Sequence, residues 1–230
     1  MDPGNSVATH MLMACRGGEA PARASDDYVR DTFDACAGSF DQVLDQLGYR
    51  APTLIAELLT RILPVPNNTL VGADAGCGTG LCAPFLRPRS KRLVGIDLSP
   101  GMLARARVRK TYDELIEAEL TTWLARQRPV HDLIVSADTL CYFGALEPVL
   151  SGAAAALRPG GRLVFTVERA DDGVTAYQLT SSGRYSHAES YIRDALAGVI
   201  LTTVEIVPVI LRQEVGDDVH GLLVSAQRPI

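Results

Sequence analysis

Seven consecutive positions, Asp74-Ala-Gly76-Cys-Gly78-Thr-Gly80, set three glycines at alternate places behind an acidic residue. Glycines so spaced let the backbone take left-handed angles and come close to a neighbour. A second carboxylate, Asp97, lies 21 positions beyond Gly76 (97 − 76) at the end of the apolar run RLVGID. A P-loop is excluded, because that motif needs Gly-Lys-Ser/Thr and Leu81 follows Gly80. A dinucleotide fingerprint is strained. Counted from Gly76 its third glycine would fall on Leu81, and counted from Gly78 on Ala83. Asp74 would repel a pyrophosphate and suits an ammonium group, while Asp97 can accept hydrogen bonds from both hydroxyls of a ribose. Ammonium and ribose without phosphate describe S-adenosyl-L-methionine.

The surrounding pattern is one that can position such a turn. TLVGADA, RLVGID, HDLIVSAD and GRLVFTVE are short apolar runs bounded by turn residues, with helical stretches at 81–86, 102–110 and 145–157 between them. Strands alternating with helices predict a parallel sheet covered on both faces, which also explains why the strands lack polar alternation. Ser99 before Pro100 predicts a helix start directly after Asp97. Upstream, residues 26–63 carry helical periodicity interrupted at Gly48, with a further helix expected from Pro52 until PVPNN ends it. Downstream, Ser186 and Glu189 have the spacing of a capping box for a helix reaching Leu196. Two further strand-like runs joined around GDD predict a hairpin at a sheet edge. The chain thus divides into a leader over 1–25 and a single domain over 26–230, with a helical cap at 26–66 and the sheet core at 67–230.

Composition narrows the partners. The 230 residues carry 22 basic and 27 acidic side chains, a formal charge of −5, and no basic cluster interleaved with aromatics. A nucleic-acid partner is therefore not expected. No apolar run reaches the ~18 residues of a membrane span, and the N-terminus lacks the pattern of a secretory signal. Five cysteines without a CxxC pair fit a reducing, cytoplasmic setting better than a disulfide framework. The four histidines are scattered without metal-binding spacing, so no metal is expected.

VGADAGCGTGLCAPFL, LVGIDLSPGMLARAR, HDLIVSADTLCYFG and LRPGGRLVFTVE, in that order, resemble the class I S-adenosylmethionine-dependent methyltransferases over roughly residues 26–228. FDACAGSFDQVLDQLGYRAPTLI and GRYSHAESYIRDAL are similar to a narrower subgroup, which includes methyltransferases that follow tetratricopeptide repeats and those of the Williams–Beuren region. The resemblance implies a Rossmann-like, doubly wound α/β fold with a seven-stranded sheet of order 3-2-1-4-5-7-6, its last strand antiparallel. It further implies that Asp74 faces the methionine moiety, that Gly76, Gly78 and Gly80 admit it, and that Asp97 holds the ribose. Met102 would pack on adenine, Glu119 would accept from its amino group, and Ala137 would touch the cofactor through its backbone. Leu98 and Leu120 stand beside these, and Tyr49 and Arg50 would reach in from the cap. Gly72 and Ala75 are smaller than the family's usual residues, which predicts weaker strand packing. Cys36 replaces an aromatic residue common in relatives.

Each role has a plainer rival. The glycines could serve helix–strand packing alone, Met102 could be core, Glu119 a solvated charge at a helix start, and Tyr142, Phe143 and Tyr185 core aromatics. Cys77 and Cys82 read as small apolar residues, and His187, in the first turn after Ser186, as a surface histidine. Methyl transfer from a sulfonium chiefly requires in-line positioning and exclusion of water, and a base matters only for a protonated acceptor. The loops able to supply one carry Asp138 and Tyr142, or Glu168, Tyr185 and His187. Tyr142 and His187 are the expected catalytic residues. The expected acceptor is a small molecule methylated on oxygen or nitrogen. A NAD(P)-dependent oxidoreductase, against which the missing GxGxxG argues, and a non-catalytic S-adenosylmethionine-binding interaction protein are the alternatives.

Overall fold

The computed structural model describes residues 5–16, 20–63 and 65–230. Four helices precede the sheet: α1 (Ser6–Arg16), α2 (Asp26–Cys36), α3 (Phe40–Gln46) and α4 (Ala51–Ile62). Ser25 caps α2 by accepting from the Tyr28 amide, and Pro52 occupies the first turn of α4. The leader is partly helical. Of residues 1–25, positions 1–4 and 17–19 lie outside the described residues, as does Pro64 of PVPNN. Within α1, however, His10 is buried, stacks on Tyr28 at 3.8 Å and bonds through Nε2 to the Gly183 carbonyl.

Strands and helices then alternate: β1 (Leu70–Ala75), α5 (Ala83–Leu86), β2 (Ser90–Asp97), α6 (Pro100–Arg109), β3 (Glu114–Glu117), α7 (Leu120–Ala125), β4 (His131–Ser136), α8 (Glu147–Ala156) and β5 (Leu157–Arg169). After β5 come β6 (Tyr177–Leu179), β7 (Tyr185–His187), α9 (Glu189–Gly198), β8 (Thr202–Glu214) and β9 (Asp217–Gln227). Strands β3-β2-β1-β4-β5 are parallel neighbours in that order, β9 joins β5 antiparallel, and β8 closes the edge against β9. With β8 and β9 as sixth and seventh strands this is the expected order, antiparallel last strand included. The β8–β9 hairpin turns at Val215 and Gly216, both at positive φ, just ahead of the two aspartates expected to join the strands.

Period-two alternation divides the sheet between two cores. Ile134, Phe165, Val224 and Ala226 face Leu124 of α7, Leu150 and Ala153 of α8, and Ile192 and Leu196 of α9. Their neighbours Leu133, Val135, Val164 and Leu223 face Ile55, Leu58 and Leu59 of α4 and Leu86 of α5. Burying each such side chain is worth about 1.5–3 kcal/mol, and helices on both faces are what a parallel sheet requires. Gly72 leaves no gap: a Cβ there would stand 2.9 Å from Ser90 Oγ and 3.2 Å from Leu93 Cδ1, so β2 already fills the space. The expected weakness in strand packing at this position is therefore absent.

The segment after β5 departs most from the sequence reading. The β6–β7 hairpin adds two strands to the expected seven, with β7 parallel to β5 through Glu168 and Arg169. One side of Glu168 is taken by Gly221 of β9, so β7 occupies the other side, beyond Ser136 where β4 stops. Ser186 is thus a buried strand residue and not a cap; α9 begins at Glu189 behind Ala188, without a side-chain cap, and Glu189 pairs with Arg193 at 2.6 Å. The motif spacing matched a capping box, but strand pairing claimed the serine. Three-residue strands are too short to show a period.

Two aspartates tie the cap to the core. Asp34 of α2 accepts from the Ser99 hydroxyl and, at 2.9 Å, from the Gly101 amide, while Ser99 Oγ accepts from the Met102 amide at 3.0 Å. Asp41 of α3 accepts from the Thr79 hydroxyl and pairs with Arg109 of α6. Ser99→Ala removes both the α6 cap and the Asp34 contact. It is expected to lower unfolding free energy by about 1–2 kcal/mol, measurable by urea denaturation; an unchanged midpoint would show that the cap is not held this way.

Candidate functional site

The carboxyl ends of β1, β2 and β4 meet the cap around a cavity of about 320 Å³, within the size range of small-molecule sites. One wall is the turn after β1. Gly76, Gly78 and Gly80 all have positive φ (77°, 52° and 90°), the left-handed region that favours glycine. Their surroundings differ. A Cβ on Gly76 would overlap Thr139, and one on Gly80 would press at 3.1 Å on Arg109 and Tyr112. On Gly78 it would have only Phe40 Cε1 near it, at 3.9 Å. Gly76 and Gly78 line the cavity and Gly80 does not. The packing reading therefore describes Gly80, whereas Gly78 leaves a cradle open to the cavity.

The turn is pinned from β2. The Gly76 and Cys77 amides both donate to the Ile96 carbonyl at 2.8 Å, and the Gly78 amide donates to Asp97 Oδ2 at 2.8 Å. Asp97 Oδ1 accepts from the Ser99 amide at 2.9 Å. Each oxygen of this carboxylate retains a lone pair. Burial raises its pKa against the hydrogen bonds from Ser99 and Gly78. Asp74 is almost wholly buried and accepts from Tyr112 Oη at 2.6 Å. Burial, partly offset by that bond, lifts its pKa to about 7. Met102, Leu98, Ala118 and Leu120 complete an apolar slot next to these groups.

Eleven of the fourteen expected site residues line this one cavity: Tyr49, Asp74, Gly76, Gly78, Asp97, Leu98, Met102, Glu119, Leu120, Ala137 and Tyr142. Glu119 is a helix-start residue that borders the cavity. It caps α7, accepting from the Thr121 and Thr122 amides at 2.9 and 2.7 Å, and it also lines the cavity. Burial would raise its pKa, but the bonds from Thr122 and Thr121 outweigh that and hold it low. Arg50 is exposed at the start of α4 and does not line the cavity; its amide donates to the Leu211 carbonyl at 2.8 Å.

His187 does not reach the cavity either. It is neither a first-turn nor a surface residue: it is fully buried in β7, its Nε2 lies 2.9 and 3.1 Å from the Phe143 and Gly144 carbonyls, and Tyr191 stacks on its ring. Burial pushes its pKa down to about 4. A neutral imidazole donating into a loop is a structural fastener, and this position replaces the expected role of base.

Further from the glycines the cavity changes character. Cap residues Val29, Phe33, Cys36 and Phe40 form one side. Phe33 meets Tyr142 edge-on at 5.3 Å and Phe40 at 5.9 Å, so the aromatic wall forms although position 36 is a cysteine. The opposite side holds a charge cluster that sequence reasoning missed. Arg212 Nη1 donates to Asp138 Oδ2 at 2.8 Å, its Nε to Glu214 Oε1 at 2.7 Å, and its Nη2 to Glu168. Arg184, from the β6–β7 turn, donates through Nε to Glu168 Oε1 at 2.7 Å and through Nη2 to Glu214. Asp138, Arg184, Arg212 and Glu214 line the cavity. The local hint was the polar triplet Arg212-Gln213-Glu214 that ends β8 behind the apolar run VPVIL. Of the acceptors of Arg212, Glu214 lies on its own strand, whereas Asp138 after β4 and Glu168 of β5 come from elements that spacing cannot join to it.

The comparisons agree with this geometry. A family model described as a methyltransferase domain matches residues 73–165. Methyltransferase-like protein 27 of Homo sapiens is 43% identical over 84 residues, 36% of this chain and 34% of that protein. Trans-aconitate 2-methyltransferase of Paracidovorax citrulli is 35% identical over 109 residues, 46% of this chain and 41% of its own. The chain thus spans well under two thirds of these relatives' length. Among solved structures, the Burkholderia thailandensis 1,6-didemethyltoxoflavin-N1-methyltransferase, with its substrate and S-adenosylhomocysteine bound, superposes with a TM-score of 0.70 at 21% identity, covering 93% of this chain and 94% of that one. The methyltransferase-domain match thus spans the strands and turns that line the cavity, and the strand order is the one that the resemblance to class I S-adenosylmethionine-dependent methyltransferases implies.

Proposed function

We propose that this protein transfers the methyl group of S-adenosylmethionine to an oxygen or nitrogen of a small molecule held between the glycine turn and the helical cap. The observation that carries this reading is the single cavity in which Asp74, Gly78 and Asp97 meet an aromatic wall on the cap. The residues fit the cofactor group by group. The bare Gly78 backbone leaves room for an approaching chain, the buried Asp74 suits an ammonium group, and the spare lone pairs of Asp97 suit two vicinal hydroxyls. The slot of Met102, Leu98 and Leu120 suits a flat base, with Glu119 at its edge.

When bound, S-adenosylmethionine supplies an electrophilic methyl group on a positively charged sulfur. The chain's part is to position and to dry. Glycines held by Ile96 and Asp97 cannot swing away, so the donor side is rigid before anything binds. Helices α2 and α3, latched through Asp34 and Asp41, cover the acceptor side and keep water out while charge is neutralised. Tyr142, with its ring fixed against Phe33, orients the acceptor. Burial places its hydroxyl pKa well above the ordinary range, so it acts as a hydrogen-bonding group and not as an anion. An acceptor of carboxylate type is the reading that the name trans-aconitate 2-methyltransferase invites.

Three outcomes are expected. Asp97→Ala removes both the ribose acceptor and the partner of the Gly78 amide. S-adenosylhomocysteine should then bind about 10–100-fold more weakly by isothermal titration, the range of one or two charged hydrogen bonds; unaltered affinity would contradict the assignment. Because Asp74 must ionise to meet an ammonium group and titrates near 7, cofactor affinity should fall roughly tenfold per pH unit below 7 and level off above it. Asp74→Asn should flatten that profile, and a wild-type profile flat from pH 5 to 8 would remove Asp74 from the site. Finally, with labelled S-adenosylmethionine and a metabolite extract, wild type should yield a labelled small molecule. Tyr142→Phe should lower that yield about tenfold at unchanged cofactor affinity, whereas no labelled product from wild type would argue for a binding protein without transferase activity.

A further inference from the structure

The acceptor end of the cavity is a charge cluster whose stoichiometry is uneven. Two guanidiniums, Arg184 and Arg212, face three carboxylates: Asp138, Glu168 and Glu214. Arg212 is 3% exposed and directs all three of its guanidinium nitrogens at these carboxylates, so it presents no unengaged nitrogen to a ligand. Arg184 has two of its nitrogens committed in the same way. The carboxylates are less fully used. Glu214 receives both arginines on Oε1, its side chain is 31% exposed, and it lines the cavity with Oε2 unbonded. Its pKa is held low against burial by the bond from Arg212 and the charge of Arg184, so it stays ionised. Asp138 also lines the cavity. It sits at φ 54° immediately after Ala137, with Oδ2 on Arg212 and Oδ1 buried without a partner.

We infer, on the methyl-transfer reading above, that this end selects an acceptor whose polar head donates hydrogen bonds, a hydroxyl or an amine on an apolar ring body, and turns carboxylates away. Glu214 and Asp138 are the specificity-determining residues. Arg212 has no free nitrogen and Arg184 is already bonded to two fixed anions, so a carboxylate head would gain little from them and would face the side chains of Glu214 and Asp138. A hydroxyl or amine instead finds the unbonded Oε2 of the part-exposed Glu214. The body of the acceptor lies against Val29, Phe33, Tyr142 and Phe143. The cluster is built from four separate places, the ends of β4, β5 and β8 and the β6–β7 turn, and the hairpin that contributes Arg184 is the addition to the seven-stranded plan.

The test uses two probes of one shape, 2-naphthol and 2-naphthoate, titrated into the full chain saturated with S-adenosylhomocysteine. Wild type should bind 2-naphthol at least tenfold more tightly than 2-naphthoate. Glu214→Gln and Asp138→Asn keep the side-chain shapes and an oxygen for the arginines but remove one negative charge each; either should shrink that preference or reverse it, with cofactor affinity unchanged. Equal or tighter binding of 2-naphthoate to wild type would overturn the inference, as would binding of neither probe or a preference unmoved in both variants. If one variant fails to fold, the wild-type comparison and the other variant still decide. Failure of S-adenosylhomocysteine itself to bind would be a separate result: it would remove the methyl-transfer reading and this inference with it.

Discussion

Everything around the first half of the cavity depends on the left-handed glycine turn after β1. Three left-handed residues in five positions take the chain from the end of β1 to α5, in a backbone conformation that favours glycine. What turns this permissive segment into a fixed surface is β2. Its last residues, Ile96 and Asp97, accept the amides of Gly76, Cys77 and Gly78. One carboxylate thus holds the turn and also offers its remaining lone pairs to the cavity. The rest of the site is stacked on this junction. Ser99 continues the chain from Asp97 into α6 and brings Met102 to the slot, and the same serine receives the cap through Asp34.

The two ends of the cavity are governed by different physics. At the glycine end, Asp74 is almost wholly buried against Tyr112 and Asp97 is held by backbone amides, and burial raises the proton affinity of both against those hydrogen bonds. At the other end, charged side chains from β4, β5, β8 and the β6–β7 turn neutralise one another at short range. Removing one member of such a cluster leaves buried charges unpaired, which typically costs about 3–5 kcal/mol. The cluster is therefore structural as well as selective. It ties the additional hairpin to the sheet through Arg184, and it leaves Asp138 and Glu214 at the cavity wall.

The fold was largely legible because its signals are local. Apolar runs separated by helical stretches specified the parallel core, and Ser99-Pro100 marked the start of α6. The donor half of the site was legible for the same reason: Asp74, Gly76, Gly78 and Asp97 sit at fixed offsets from β1 and β2. What sequence could not supply were relations between distant segments. His187 read as a surface residue beside a helix cap because the competing event, pairing of β7 with β5, leaves no periodic trace in three residues. Arg50, next to a cavity-lining tyrosine, turned outward at the start of α4. The salt-bridge cluster joins residues 138, 168, 184, 212 and 214, and only the chain's folded path brings these together.

The most direct test of this account is a crystal structure of the chain with S-adenosylhomocysteine. The account predicts one molecule in the described cavity, its homocysteine chain passing over Gly78, both ribose hydroxyls within about 3 Å of the Asp97 carboxylate, and its sulfur facing the space bounded by Tyr142, Asp138 and Glu214. Density for the ligand elsewhere, or ribose hydroxyls engaged by groups other than Asp97, would contradict it.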